Sequence, residues 1–160
     1  FWTQVMKWNL DTMTQDAFTA YFRGGMPGSV RAYSAWDFKE GERPCIVTHA
    51  EGLRPVSEDA EWHDPRYIDV AIALQVESVD EVGDTGIVIT EFYERRAKIL
   101  SAVRELLARA DLVTQINAQG VEGLACSMMQ LEDDTDEGAE DRTVTNIFSV
   151  IGIVEPVTGS

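Results

Sequence analysis

The sequence predicts an α+β domain, a mainly antiparallel sheet of about five strands packed by an N-terminal helix and a long central helix. Three observations predict it. Apolar residues recur at helical spacing over 1–22 and again over 88–109, strict alternation marks 68–76, and a second long strand pattern closes the chain at 143–154. With 160 residues the chain suits a single domain.

Taken in order, Trp2, Val5, Met6, Met13, Ala17 and Ala20 lie on one helical stripe, and Gly24, Gly25, Pro27 and Gly28 stop that helix. Six of the fourteen aromatics fall in the first 22 residues, and Phe1, Trp8, Phe18 and Phe22 lie off the stripe. That surplus makes Trp8, Phe18 and Phe22 candidates for contact with a neighbouring subunit. Val30–Trp36 and Pro44–Ala50 read as an antiparallel pair, and 51–65 as a long polar connection. Ile68, Val70, Ile72, Leu74 and Val76 share one face only if the segment is a strand. The 88–109 helix carries Phe92, Ile99, Leu100, Val103, Leu106 and Leu107 on one stripe, and Glu91–Arg95 and Glu94–Lys98 suit its exposed side. Asp111 is placed to cap a short helix ending near Ala118. Leu124–Leu131 alternates with a phase shift at Met128–Met129 that signals a bulge.

The last strand, Thr143–Val154, is apolar on both faces, with Val144, Phe148, Val150 and Val154 on one and Ile147, Ile151 and Ile153 on the other. A strand apolar on both sides is covered on both sides. With so few helices, one cover is expected from another chain, so Ile147, Ile151 and Ile153 join the candidate interface. Seven of the ten residues 132–141 are acidic: Glu132, Asp133, Asp134, Asp136, Glu137, Glu140 and Asp141. Mutual repulsion predicts an extended hairpin loop, a candidate lumen or docking element.

Composition narrows the function. Thirteen Lys and Arg against 28 Asp and Glu give a formal charge of −15, which disfavours a grip on nucleic-acid phosphates or on an anionic membrane. No apolar run reaches the ~20 residues of a membrane span. Cys45 and Cys126 fall in apolar stretches and read as reduced core thiols. Residue 1 is Phe, so unlisted residues are expected upstream.

Searches for chemistry return little. His49 and His63 form no HExxH or Cys–His pattern. An EF-hand alignment on Gly138 puts Val144 where a bidentate Glu belongs. Ser57, His63 and Asp64 are neighbours in one loop, which is not the spatial convergence a triad needs. No cofactor is expected. Two other classes stay open: a small acidic α+β enzyme with a site around His63, and a soluble binding adaptor.

The order of elements is itself informative. A helix and Gly/Pro turn precede a β-pair entered through Arg43-Pro44-Cys45-Ile46-Val47; the alternating strand Tyr67–Glu77 and long helix Glu91–Arg109 follow. A Gly-Val-Glu-Gly-Leu lead at 120–124 and a closing strand ending Ile153-Val154-Glu155-Pro156 complete it. Over about 30–156 this order resembles the tail-terminator and tail-completion proteins of long-tailed bacteriophages. The resemblance implies a non-enzymatic virion protein, assembled in the host cytoplasm into a ring, commonly a hexamer. Such a ring caps the tail tube and docks to the head connector, so its partners are the tail tube protein and neck proteins. Another neck, head-completion or tail ring subunit is the alternative within the class.

Overall fold

The computed structural model describes side chains at 9–35, 44–59, 61, 63–76, 93–138 and 143–157, and backbone alone at 77, 86–92 and 139–140. Among the described residues three helices, α1 (Leu10–Gly25), α2 (Gly86–Leu107) and α3 (Leu112–Asn117), accompany five strands. These are β1 (Arg31–Ser34), β2 (Cys45–Pro55), β3 (Arg66–Glu77), β4 (Leu124–Glu140) and β5 (Thr143–Pro156). The sheet order is β1-β2-β3-β5-β4, an α+β fold with a mostly antiparallel sheet.

β3 forms as its alternation predicts: Ile68, Val70, Ile72, Leu74 and Val76 are all buried. They meet Phe148, Val150 and Val154 of β5 and the buried residues of all three helices in one apolar cluster. All three helices therefore cover the same face of the sheet.

The β1–β2 pair corrects the expectation of an antiparallel hairpin, because Arg31–Ser34 runs parallel to Cys45–Thr48. Only ten residues, 35–44, carry the chain back, short for a parallel connection but sufficient for a four-residue strand. Part of the expected 51–65 connection is also strand, since Glu51, Arg54 and Pro55 pair with Asp69, Tyr67 and Arg66 around a bulge. Gly52 sits in that bulge at φ 75°, the left-handed region that only glycine adopts without strain.

Helix α1 ends past both Gly24 and Gly25, with Met26 N–H on the Phe22 carbonyl. Gly25 is needed for closeness rather than for breaking: a Cβ there would lie 2.9 Å from Leu106 Cδ2. Phe18 and Phe22 correct a second expectation. Both are wholly buried in their own subunit's core, with no surface to offer a neighbour. Pressed between the sheet and two other helices, α1 buries a broad face from Leu10 to Phe22 that includes Thr14, Gln15 and Thr19. The two threonine hydroxyls donate to carbonyls four residues back, so neither is stranded in the core. Trp8 lies outside the described residues.

The acidic run supplies the third correction. It is not a loop but most of the second half of β4, paired with β5 as far as Glu140↔Thr143. The 17 residues of β4 span 14 of β5, and three bulges absorb the difference, after Cys126, Leu131 and Asp136. Those bulges are what make an acidic strand tolerable. Glu132 and Glu137 are the extra residues with no partner across, while Asp134 and Asp136 turn to the helix side. There Arg104 and Arg96 of α2 meet them in ion pairs, the second at 3.1 Å. Asp141 lies outside the described residues, and Glu140 is described by its backbone alone.

Candidate subunit interface

With the helices on one face, strand register fixes what the other face presents. Five rows cross β2, β3, β5 and β4 in turn: Cys45–Gln75–Thr145–Gly138, Val47–Ala73–Ile147–Thr135, His49–Ala71–Ser149–Asp133, Glu51–Asp69–Ile151–Gln130, and Arg54–Tyr67–Ile153–Met128. Ile147, Ile151 and Ile153 are each partly exposed there, and no described helix packs on them. The structure thus brings these three predicted residues onto one face, which none of the described helices covers. Small Ala71 and Ala73 beside them keep the centre flat.

The rim is polar and internally paired. Arg54 forks onto Asp69, Nη1 to Oδ2 at 2.8 Å and Nη2 to Oδ1 at 3.2 Å, while its guanidinium lies 5.5 Å from the Tyr67 ring centre. On the β2 side His49 Nε2 lies 3.2 Å from Glu51 Oε2. Sequence reading passed over this cluster, in which Arg54 and Asp69 are 15 positions apart in a strand pair and no motif links the members.

The His49–Ala71–Ser149–Asp133 row contains His, Ser and Asp, which invites a catalytic reading. Ala71 stands between His49 and Ser149, and strands lie ~4.8 Å apart, so the two are about 10 Å from each other. A nucleophile and its base must meet within ~3 Å. His63 is held differently. Glu61 and Asp64 lie 3.6 Å from its two ring nitrogens in an exposed loop, and the Ser57 hydroxyl accepts from Asp59 N–H. Among the described residues no group of three His, Cys, Asp or Glu is placed to hold a metal ion. Among the described residues no helix is long and apolar enough to cross a membrane.

Cys45 and Cys126 are both buried, and neither is in a disulfide. Burial pushes the Cys126 thiol up to about 12, a neutral packing group rather than a nucleophile. Asp111 precedes α3 as expected, yet its side chain caps no helix N–H. Arg109 reaches its two oxygens at 2.8 and 3.1 Å and Gln115 donates at 2.9 Å, which together hold the carboxyl down at about 2.

No protein-family model matches the chain, and no curated protein matches it either.

Proposed function

We propose that this chain is a non-enzymatic structural subunit that assembles into a closed ring, in the manner of the tail-terminator proteins whose element order it resembles. In that role the ring caps the tail tube of a long-tailed phage and docks to the head connector. The observation that carries the reading is the open face of β5: Ile147, Ile151 and Ile153 form an apolar band that this chain's described helices leave uncovered. The part of these three isoleucines left exposed is costly, at roughly 25 cal/mol per Å² of apolar surface, and a neighbouring subunit offsets that cost. The polar groups beside the band are already paired with one another, so packing a partner on it strands few of them. A formal charge of −15 per copy also suits a ring wall along which DNA slides without adhering. Native mass measurement of the wild type beside Ile151→Lys tests the reading: loss of a ring in the variant, with the fold retained, is the expected result.

A further inference from the structure

Among the described residues two stretches of the sheet's perimeter carry opposite charge, and they lie at its two ends. Elsewhere the helices stitch the edges closed: Gln15 Oε1 accepts Ala50 N–H beyond the end of β1, and Asn117 holds the main chain of Cys126 at the start of β4. At one end remains the short edge strand β1. Arg31 and Ala35 N–H donate to Pro44 and Thr48 carbonyls of the β2 segment, which leaves the main-chain groups of Ala32 and Ser34 pointing away from β2 while their side chains stay buried. Between this edge and the end of α1 opens a cleft of about 350 Å³ lined by Arg23, Pro27, Gly28, Arg31, Ala32 and Tyr33 among others. Arg23 Nε donates to the outward Ala32 carbonyl at 3.1 Å, which fixes its guanidinium against the cleft. None of the described residues lining the cleft is acidic. At the other end runs the acidic half of β4, where Glu132, Asp133 and Glu137 are exposed.

We infer that the acidic edge of β4 in one copy docks on the Arg23–Arg31 cleft of the next, head to tail. The inference rests on the ring reading above and supplies its lateral contact. Copies of charge −15 repel one another, so a stable contact must set cations against the carboxylates. Two different surfaces at opposite ends of one sheet make a heterologous contact, and repeated rotation of such a contact closes a ring. The contact is made by side chains, not by a continued ladder. Asp134 and Gly138 N–H are taken by the Asp133 and Asp136 carboxylates, and the bulges bend the edge away from regular pairing. Carboxylate to guanidinium is the strong pairing that remains.

Charge reversal tests it by sedimentation velocity at micromolar concentration. Arg23→Glu with Arg31→Glu should raise the concentration for assembly at least tenfold, and Glu132→Lys with Glu137→Lys should do the same. Mixed in equal amounts, the two proteins should assemble again, because each intact or reversed edge then finds its opposite. Thermal melts by circular dichroism check that both fold; if a reversal does not fold, Arg23→Gln with Arg31→Gln carries the test, with the same direction expected. A wild type that forms rings while the variants form them equally well, or a mixture that stays apart, overturns the contact and leaves the ring reading standing. A wild type that is monomeric throughout overturns both.

Discussion

The side-chain amide of Asn117 pairs with the main chain of Cys126 in both directions: Nδ2 donates to the carbonyl at 2.8 Å, and Cys126 N–H donates to Oδ1 at 2.9 Å. A single side chain from α3 thereby takes the place of a further strand at the outer edge of β4. Such an edge is a template for unwanted pairing, and the amide closes it.

Asn117→Ala removes both bonds and strands two part-buried groups. A loss of about 1–3 kcal/mol is expected, read from the urea midpoint at unchanged m. Asn117→Asp keeps the acceptor but loses the donor, and should fall between the two. Wild-type stability in Asn117→Ala would mean that water replaces the amide at no cost.

Acid should loosen the molecule at two identifiable places. Asp111 titrates near 2 when folded, against an ordinary 3.8, because Arg109 and Gln115 favour its charged form. Asp136 is lowered as well, by Gly138 N–H and then Arg96. A depressed carboxylate binds fewer protons folded than unfolded, so its contribution is present above about pH 4 and is lost as pH falls toward 2. Asp111→Asn should flatten the stability–pH curve in that window and leave it unchanged near neutrality in slope. An unaltered slope between pH 4 and 2 would contradict the assignment.

Gly152 is where β5 passes beneath the bulged β4. A Cβ there would lie 2.5 Å from Met129 Sδ and 3.0 Å from the Met128 carbonyl. Gly152→Ala should therefore cost about 1–3 kcal/mol by overpacking, measured by chemical unfolding. Pairing it with Met129→Ala relieves the side-chain clash, so the double variant should lose less than the two single losses added. Strict additivity would place the strain elsewhere.

How much of this was legible in the sequence depends on which residues report a period. β3 and α2 were readable because Ile68 to Val76 alternate and Ile99, Leu100, Val103 and Leu107 keep one helical stripe. The bulge near Met128 was readable for the same reason, as a break in alternation. Direction was not readable in β1–β2, since a parallel and an antiparallel pair share one side-chain period. The acidic run misled because repulsion was weighed without its partners; Arg96 and Arg104, 40 and 30 positions away from Asp136 and Asp134, are what let it be a strand. The same distance effect hid the two ends of the sheet, where Arg23 and Arg31 share a cleft only after α1 turns back along β1. Of the candidate interface, the three isoleucines of β5 were legible from a strand apolar on both faces, whereas Phe18 and Phe22 were misassigned because the breadth of the buried face of α1 follows from packing partners.

Phe18 and Ile151 make opposite predictions on that account. Phe18→Ala empties a fully buried site and should cost ~3–5 kcal/mol in stability, as seen in its unfolding midpoint. Ile151→Lys alters a partly exposed face and should leave the monomer's melting temperature within a few degrees while weakening association. Reversed outcomes would put the contact on α1 instead of on the sheet.

The central claim is that the chain closes into a ring. Native mass spectrometry of the wild type at micromolar concentration tests it most directly. The account predicts one dominant closed species at an integral multiple of 17.8 kDa, sixfold as the resemblance implies, with few intermediates. A 17.8 kDa monomer at every concentration would contradict it.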